Sequence, residues 1–221
     1  MPWHRSGLDE RSAGNGAAMR AAPIGLLAAR DPSPERIAPL AILYSWPTHT
    51  HPIALASAAA LAGAVAYLVR LAALGHELDP HRLLAFVSDL IGGIDIEPAR
   101  PKADAPEPVR LAGRLAEVPD WLGREPKDAF DHFHTGAFVL QSLPAAFYCF
   151  LRSPDDPRRG ILTAANCGHD TDTVASMAGN LVGAWVGTEA LFRDEPGWAN
   201  ELECLDGLRL LADGLCAHVA R

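Results

Sequence analysis

The run PIALASAAALAGAVAYLV, residues 52–69, contains 18 residues without a charged side chain. Eight of these residues are alanine, which has the highest helix propensity, and the pattern predicts a helix that ends at Gly75. The length lies at the lower limit for a membrane span, but alanine drives insertion into lipid only weakly. So many small side chains are typical of a helix packed closely against other helices. We therefore expect a soluble bundle rather than a membrane protein.

Helix start and stop signals flank this run on both sides. Ser33-Pro34 and Asp79-Pro80 each join a capping side chain to a proline suited to the first turn. They predict helices that run towards Tyr44 and to Gly92, and Pro39 is expected to shorten or kink the first of them. Further helices are predicted at about 109–118, 136–151, 158–165, 171–191 and 200–219. Strand patterns are scarce, so the sequence predicts an all-α fold.

The composition indicates a single folded domain. Residues 94–108 carry four prolines and several charges, which predicts an exposed connector between helices. Because helical patterning resumes after it, we expect one domain over residues 1–221, long enough to bury a substantial core. Apolar residues make up 49% of the chain, as in folded globular proteins. A formal net charge of −8 and the lack of a basic stripe argue against nucleic acid as a partner.

The cysteines and the first residues both favour a cytoplasmic location. No two cysteines form a CxxC pair or a framework spacing, a pattern typical of reduced thiols in a cytosolic protein. The first residues, MPWHRSGLDERSAGNG, lack the apolar core of a signal peptide. We therefore expect a cytoplasmic protein. The four cysteines are Cys149, Cys167, Cys204 and Cys216.

Two carboxylates precede the last strongly apolar helix, in the stretch NCGHDTDTV at residues 166–174. We call residues 168–173 the acidic turn. Gly168 permits a sharp entry into the helix, and Asp170, Asp172 and Thr173 can direct several oxygens into one cavity. Oxygen ligands suit hard cations such as Mg²⁺, Mn²⁺ or Ca²⁺ rather than zinc. On these residues alone, a second interpretation stays open: Asp170 caps the helix and Asp172 interacts with its positive end.

A second motif stands near the N-terminus, where residues 12–20 read SAGNGAAMR and AAPIGL follows. We call residues 12–16 the glycine loop. Asn15-Gly16 is a strong turn signal, and glycine lets backbone N–H groups approach an anionic ligand closely. Thr48-His49 and His134-Thr135-Gly136 lie between the glycine loop and the acidic turn.

The order of these motifs resembles the ADP-ribosylglycohydrolase family. Its chains carry GNGxxMRxxPxG, then TH before an alanine-rich helix, and then GGDxDT before a helix rich in alanine and glycine. The resemblance covers about residues 10–192. It implies a compact orthogonal bundle of helices and an active-site cleft with two divalent ions, usually Mg²⁺, with Mn²⁺ as an alternative. It also implies hydrolysis of the bond between C1″ of ADP-ribose and an acceptor group.

The resemblance also implies roles for individual residues. Asp170 and Asp172 would be catalytic and, together with Thr173, would be metal ligands. A cation held there would polarise the ribose hydroxyls and generate a nucleophile from water. The expected substrate-binding residues are Ser12, Gly14, Asn15, Gly16, His49 and Gly136.

The sequence departs from the family pattern upstream of the glycine loop. Family members carry there an acidic residue and a Thr/Ser-Asp-Asp run that supply the other half of the metal ligands. Only 11 residues precede Ser12, so we expect an N-terminally truncated member with half of the ligands absent. Residues 1–221 would then be the C-terminal two-thirds of the family fold. In addition, His169 replaces the second glycine of GGD and could crowd the site or add a ligand.

Partners and alternatives follow from this interpretation. The expected partner is an ADP-ribosylated protein or a small ADP-ribose conjugate. Self-association, or a complementing chain, would cover the apolar faces left by the missing helices. One alternative is a non-catalytic ADP-ribose-binding or structural relative. Another is a zinc hydrolase on a βα barrel that uses the pairs His49/His51 and His132/His134, although such a barrel needs eight strands.

Overall fold

In the computed structural model, the described residues are 13–101, 103, 107–193 and 201–219. They contain no strand and only two isolated bridges, Gly14 with Phe138 and Ala99 with Val109. The all-α prediction is therefore confirmed, and the barrel interpretation, which needs eight strands, is wrong. The helices are α1 (Ala22–Ala28), α2 (Pro34–Ser45), α3 (Pro52–Ala73), α4 (Pro80–Ile91), α5 (Leu111–Ala116), α6 (Val118–Trp121), α7 (Pro126–Phe133), α8 (Val139–Leu151), α9 (Pro157–Ala165), α10 (Thr171–Phe192) and α11 (Leu205–Val219).

Helix α3 lies at the centre and packs against α1, α2, α4 and α10. Its small side chains allow close approach: a Cβ added at Gly25 of α1 would lie 2.3 Å from the carbonyl oxygen of Ala62. By length and composition α3 could cross a membrane, but 83% of its most apolar window is buried by other parts of the protein. The alanine-rich run therefore forms a core helix, as its composition predicts.

Local signals set several helix ends. The Asp79 carboxylate caps α4 by accepting hydrogen bonds from the N–H groups of His81 at 2.9 Å and Arg82 at 3.3 Å. Gly75 follows α3 with a φ of +67°, a conformation that favours glycine. Pro39 does not shorten α2, because the helix continues through this residue to Ser45. That part of the prediction is wrong.

Two regions depart from the sequence-based expectations. The single helix expected at 109–118 is two short helices, α5 and α6, and the segment before it is not simply an exposed connector. Asp95 in that segment is 2% exposed and caps α5, accepting from the N–H groups of Leu111 at 3.1 Å and Ala112 at 2.8 Å. Helices α1 and α7 are not among the helices that the sequence predicts, and both are short, with seven and eight residues.

Candidate functional site

The glycine loop lies against the segment that leads into α8. The N–H group of Asn15 donates to the carbonyl oxygen of Ala137 at 3.0 Å, and that of Val139 donates to Ala13 at 3.1 Å. Gly14 pairs with Phe138 in an antiparallel bridge. These bonds hold the described part of the loop, residues 13–16, beside residues 136–139. Ser12 lies outside the described residues.

The acidic turn is attached to the same segment from the other side. The N–H group of Asp170 donates to the carbonyl oxygen of Thr135 at 2.9 Å, and the Thr135 hydroxyl donates to Gly168 at 2.8 Å. Thr135 is 1% exposed, so these bonds are shielded from water. The segment around residue 135 therefore brings two motifs together that lie far apart in the chain.

Unusual backbone angles shape this junction. Gly168 has a φ of +82°, and two histidines share the left-handed region, His134 at +61° and His169 at +56°. Residues other than glycine rarely adopt such backbone angles, which cost about 1–3 kcal/mol. These conformations concentrate at functional sites. The His169 side chain is exposed. The turn is therefore held in shape by its surroundings, with His169 directed away from the buried contacts.

Asn15 makes the contact that joins the two motifs. Its Nδ2 group donates to Oδ2 of Asp170 at 2.6 Å and to the hydroxyl of Ser142 at 3.0 Å. Asn15 is 6% exposed, so both hydrogen bonds form away from bulk water. Asp170 makes no side-chain cap to its own helix. The alternative in which Asp170 merely caps α10 is therefore wrong.

The other two residues of the DTDT motif differ in exposure. Thr173 is 8% exposed, and its hydroxyl lies 3.9 Å from the sulfur of Met19. Met19 stands three residues after the end of the glycine loop. Asp172 is exposed in the first turn of α10, and its carboxylate has no hydrogen-bonding partner among the described residues. Its oxygens are thus open to a ligand from solvent.

His49 approaches the glycine loop edge-on. A Cβ added at Gly16 would lie 3.0 Å from Cε1 and 3.2 Å from Nε2 of the His49 ring, so glycine permits this contact. The ring is 8% exposed, and Nδ1 lies 2.9 Å from the Thr48 hydroxyl. Burial, and secondly the positive charge of Arg20, lower the pKa of His49. The imidazole is therefore neutral near pH 7.

Gly136 has a structural reason to be glycine. A Cβ there would lie 2.5 Å from Oε1 of Gln141, whose Nε2 donates to the carbonyl oxygen of Pro101. Its backbone belongs to the segment against the glycine loop, next to Ala137. Gly136 thus shapes this wall of the site, and its predicted contact with substrate stays a prediction.

The oxygen donors of the acidic turn, from Asp170, Asp172 and Thr173, are of the chemical type that hard cations prefer. Mg²⁺ in proteins binds through one or two carboxylates and keeps several waters. No group of three or more His, Cys, Asp or Glu side chains that could hold a metal occurs in the described part of the chain. The double aspartate at 155–156 serves elsewhere: Asp155 accepts from the Trp185 indole at 3.1 Å, and Asp156 caps α9. The described residues therefore do not supply a complete dinuclear set.

Comparison with known proteins now identifies the family. The model of the ADP-ribosylglycohydrolase family matches residues 1–221. The chain belongs to this family. It is 29% identical to human ADP-ribosylhydrolase ARH3 over 220 residues, which cover 92% of this chain and 58% of the relative. It is 26% identical to the uncharacterized protein YegU of Escherichia coli (strain K12), over 91% of this chain and 58% of that protein.

A solved structure of an ADP-ribosylglycohydrolase-related protein complex has the same fold, with a TM-score of 0.62 and 26% sequence identity. The match covers 94% of this chain and 61% of that one. The chain therefore spans about three-fifths of the length of the relatives it matches. His169, which the resemblance places where the family pattern has glycine, adopts a left-handed φ that favours glycine.

Three polar residues of the site were not assigned a role from the sequence. Thr135 contacts the acidic turn and Ser142 contacts Asn15. Thr135 stands in the His134-Thr135-Gly136 stretch, but the sequence indicates no specific role for either residue. Arg20 ends the SAGNGAAMR stretch, and its guanidinium donates to the Thr48 hydroxyl. Its place in that motif was the available signal, and its contact with the Thr48-His49 pair is visible only in the folded chain.

Proposed function

We propose that this chain binds ADP-ribose between the glycine loop and the acidic turn, and hydrolyses the bond from C1″ of the sugar to an acceptor group. The observation that carries the proposal is the 2.6 Å hydrogen bond from Asn15 to Asp170, which links a loop suited to an anionic ligand with a carboxylate suited to a cation. Membership of the ADP-ribosylglycohydrolase family supports the same assignment.

Asp170, Asp172 and Thr173 would hold the cation, Mg²⁺ or Mn²⁺, through oxygen atoms alone. When bound, such an ion polarises sugar hydroxyls and lowers the pKa of water. The second ion that the resemblance implies would need ligands beyond these three. Asn15 engages one oxygen of Asp170, so the carboxylate is held in one orientation and its other oxygen stays available.

The remaining residues would orient the sugar nucleotide. Gly14 and Gly16 carry no side chain that would keep a diphosphate away from the backbone. His49 lies at the Gly16 side of the loop as a neutral ring, which can donate one hydrogen bond to an anionic oxygen. The acceptor would be a side chain of an ADP-ribosylated protein or part of a small conjugate, as the name ADP-ribosylhydrolase of the human relative suggests.

Calorimetry with ADP-ribose and Mg²⁺ tests this proposal. We expect heat of binding for the wild type, and at least about tenfold weaker binding for Asp170→Asn, which removes the charge but keeps the shape. Asp155→Asn is the matched control, since that exposed carboxylate contacts Trp185 and lies outside the acidic turn. No heat at millimolar ADP-ribose, or equal losses in both variants, would refute the proposal.

A second candidate is binding of ADP-ribose without turnover. It is favoured by one observation, the lack of a three-ligand metal cluster in the part of the chain that the structure describes. Chromatography of free ADP-ribose released from ADP-ribosylated peptides, with Mg²⁺ present, separates the two. Release that is lost in Asp170→Ala would exclude the binding-only candidate, whereas affinity without release would favour it.

A further inference from the structure

We propose that Arg114 is a positioning residue for the acidic turn, because it holds the end of α7 and thereby the strained residue His134, which precedes Thr135. The consequence for ligand binding rests on the proposed function, since the acidic turn is where the cation is proposed to bind. The positioning itself follows from contacts within the protein and can be measured without a ligand.

The first step is the fixed place of Arg114 in α5, where it is 4% exposed. Its Nη1 group donates to Oε2 of Glu117 at 2.5 Å, and its Cζ atom lies 4.8 Å from the centre of the Phe133 ring. Burial lowers the pKa of Arg114, and the charge of Glu117 opposes this shift. The guanidinium therefore stays charged and is held between a carboxylate and an aromatic ring.

The second step is the contact between Arg114 and the last turn of α7. Its Nη2 group donates to the carbonyl oxygen of His132 at 2.7 Å, which satisfies one of the carbonyl groups that have no partner within the helix. The His132 ring stacks on Trp121 with 4.1 Å between the ring centres. Its Nε2 atom lies 2.7 Å from Oε2 of Glu117 and 2.8 Å from Nη1 of Arg114. Residues 132 and 133 are therefore anchored to α5 and α6.

The third step is the backbone of His134, which follows this anchor. Its φ of +61° and ψ of +167° lie in a region that glycine adopts almost alone. Such a conformation persists only where the surrounding structure imposes it. The chain on the other side of His134 is fixed as well, because Thr135 bonds to Asp170 and Gly168. The two anchors together impose the strained backbone between them.

The last step connects the anchor at residue 132 to the acidic turn. The carbonyl oxygen of Thr135 accepts the N–H group of Asp170 at 2.9 Å. Without the anchor, His134 can adopt ordinary backbone angles, and conformations in which the Thr135 carbonyl does not meet Asp170 gain population. Arg114 therefore acts on the acidic turn through the backbone of residues 132–135.

Amide hydrogen exchange of the full chain, followed by NMR, measures this effect. Arg114→Lys keeps the charge, but a compact ammonium does not replace a planar fork whose two nitrogens contact different groups. We expect the Asp170 amide to exchange about tenfold faster in this variant. The Leu55 amide in the central helix α3 should change by less than about threefold, because the opening is local.

Arg152→Lys is the matched control. Arg152 also donates to carbonyl groups at a helix end, those of Leu122 at 3.1 Å and of Arg124, but it lies at the opposite end of α8 from the acidic turn. We expect this variant to change the Asp170 and Leu55 amides by the same factor. Equal acceleration of the two amides in Arg114→Lys as well would show that Arg114 contributes only to global stability, and would overturn the inference.

Replacing His134 with glycine tests the strain. Glycine adopts positive φ without steric cost, so in the His134→Gly background Arg114→Lys should accelerate the Asp170 amide by less than about threefold. An effect as large as with histidine would contradict the role of the strained backbone. If Arg114→Lys fails to fold, Glu117→Gln weakens the same anchor at a half-exposed side chain and should give the same selective acceleration at Asp170.

Binding separates this inference from the proposed function. If ADP-ribose binds the wild type with Mg²⁺ present, Arg114→Lys should bind about tenfold more weakly, and His134→Gly should recover most of that loss. Selective exchange at Asp170 without any binding of ADP-ribose would refute the proposed function and leave the role of Arg114 established. Binding of ADP-ribose together with equal acceleration of both amides would overturn the inference and leave the proposed function intact.

Discussion

Replacing Asn15 with alanine removes the side chain that joins the glycine loop to the acidic turn. Its Nδ2 group donates to Asp170 at 2.6 Å and to Ser142 at 3.0 Å. A hydrogen bond to a charged group contributes about 1.5–3 kcal/mol, and one between neutral groups about 0.5–1.5 kcal/mol. Asp170 is only half-buried, so water can partly replace the lost donor. We therefore expect the lower end of both ranges, a loss of about 2 kcal/mol in the free energy of unfolding.

Urea denaturation followed by circular dichroism measures this loss. Asn166→Ala is the matched control, because the Asn166 amide is exposed and donates at 2.7 Å to Leu162 of the preceding helix. A substitution at such a surface site changes stability by about 0.5 kcal/mol or less. The difference between the two variants isolates the contribution of the buried contact.

One result would refute this reasoning. If Asn15→Ala is as stable as Asn166→Ala, the link between the glycine loop and the acidic turn does not form in solution. The geometry behind the proposed site would then be lost as well, since Asp170 would have no fixed orientation relative to the loop.

Two further predictions concern the core and the charge state of His49. Gly25→Ala places a Cβ 2.3 Å from the backbone oxygen of Ala62, and should cost about 1–3 kcal/mol in a thermal unfolding experiment. The control is Gly179→Ala in α10, where an added Cβ meets no atom within 4 Å, and this variant should be more stable than the wild type by about 0.5–1 kcal/mol. Equal losses of stability in the two variants would contradict the close approach of α1 to α3. The pKa of His49 is lowered in the folded state, so the unfolded chain binds more protons below a pH of about 6.5. The stability contributed by neutral His49 is therefore complete above that pH and is lost as the pH falls. Urea unfolding at pH 7 and pH 5 should show a larger loss for the wild type than for His49→Gln, and identical losses would mean that His49 is not buried as a neutral ring.

Elements with local signals were predictable. The Asp79-Pro80 pair predicts the start of α4, and Asp79 indeed caps that helix through groups two and three residues away. By contrast, α5 is capped by Asp95, which lies sixteen residues before the helix in a segment whose composition predicts an exposed connector. Capping by a distant residue leaves no mark in the local pattern, so this part of the fold could not be anticipated.

The site residues also divide into those that the sequence predicts and those that only the folded structure assigns. Spacing and residue type identified Asp170, Asp172 and Thr173 as oxygen donors, and the turn signal identified Asn15-Gly16. The sequence could not decide whether Asp170 caps α10 or faces the loop, because both uses need the same residue at the same helix position. Nor could it assign Thr135 or Ser142, which are ordinary residues in helix-forming or connecting segments.

By itself, the sequence determined the helical class, because helix propensity and capping act over a few residues. It also determined the family, because each motif is short and the order of the motifs can be read along the chain. Only the tertiary structure decided the partner of the Asp170 carboxylate. That partner, Asn15, lies 155 residues away, and the two meet because the segment around Thr135 binds the glycine loop on one side and the acidic turn on the other. Hydrogen bonds between such distant residues depend on the packing of the whole bundle, which no local pattern encodes.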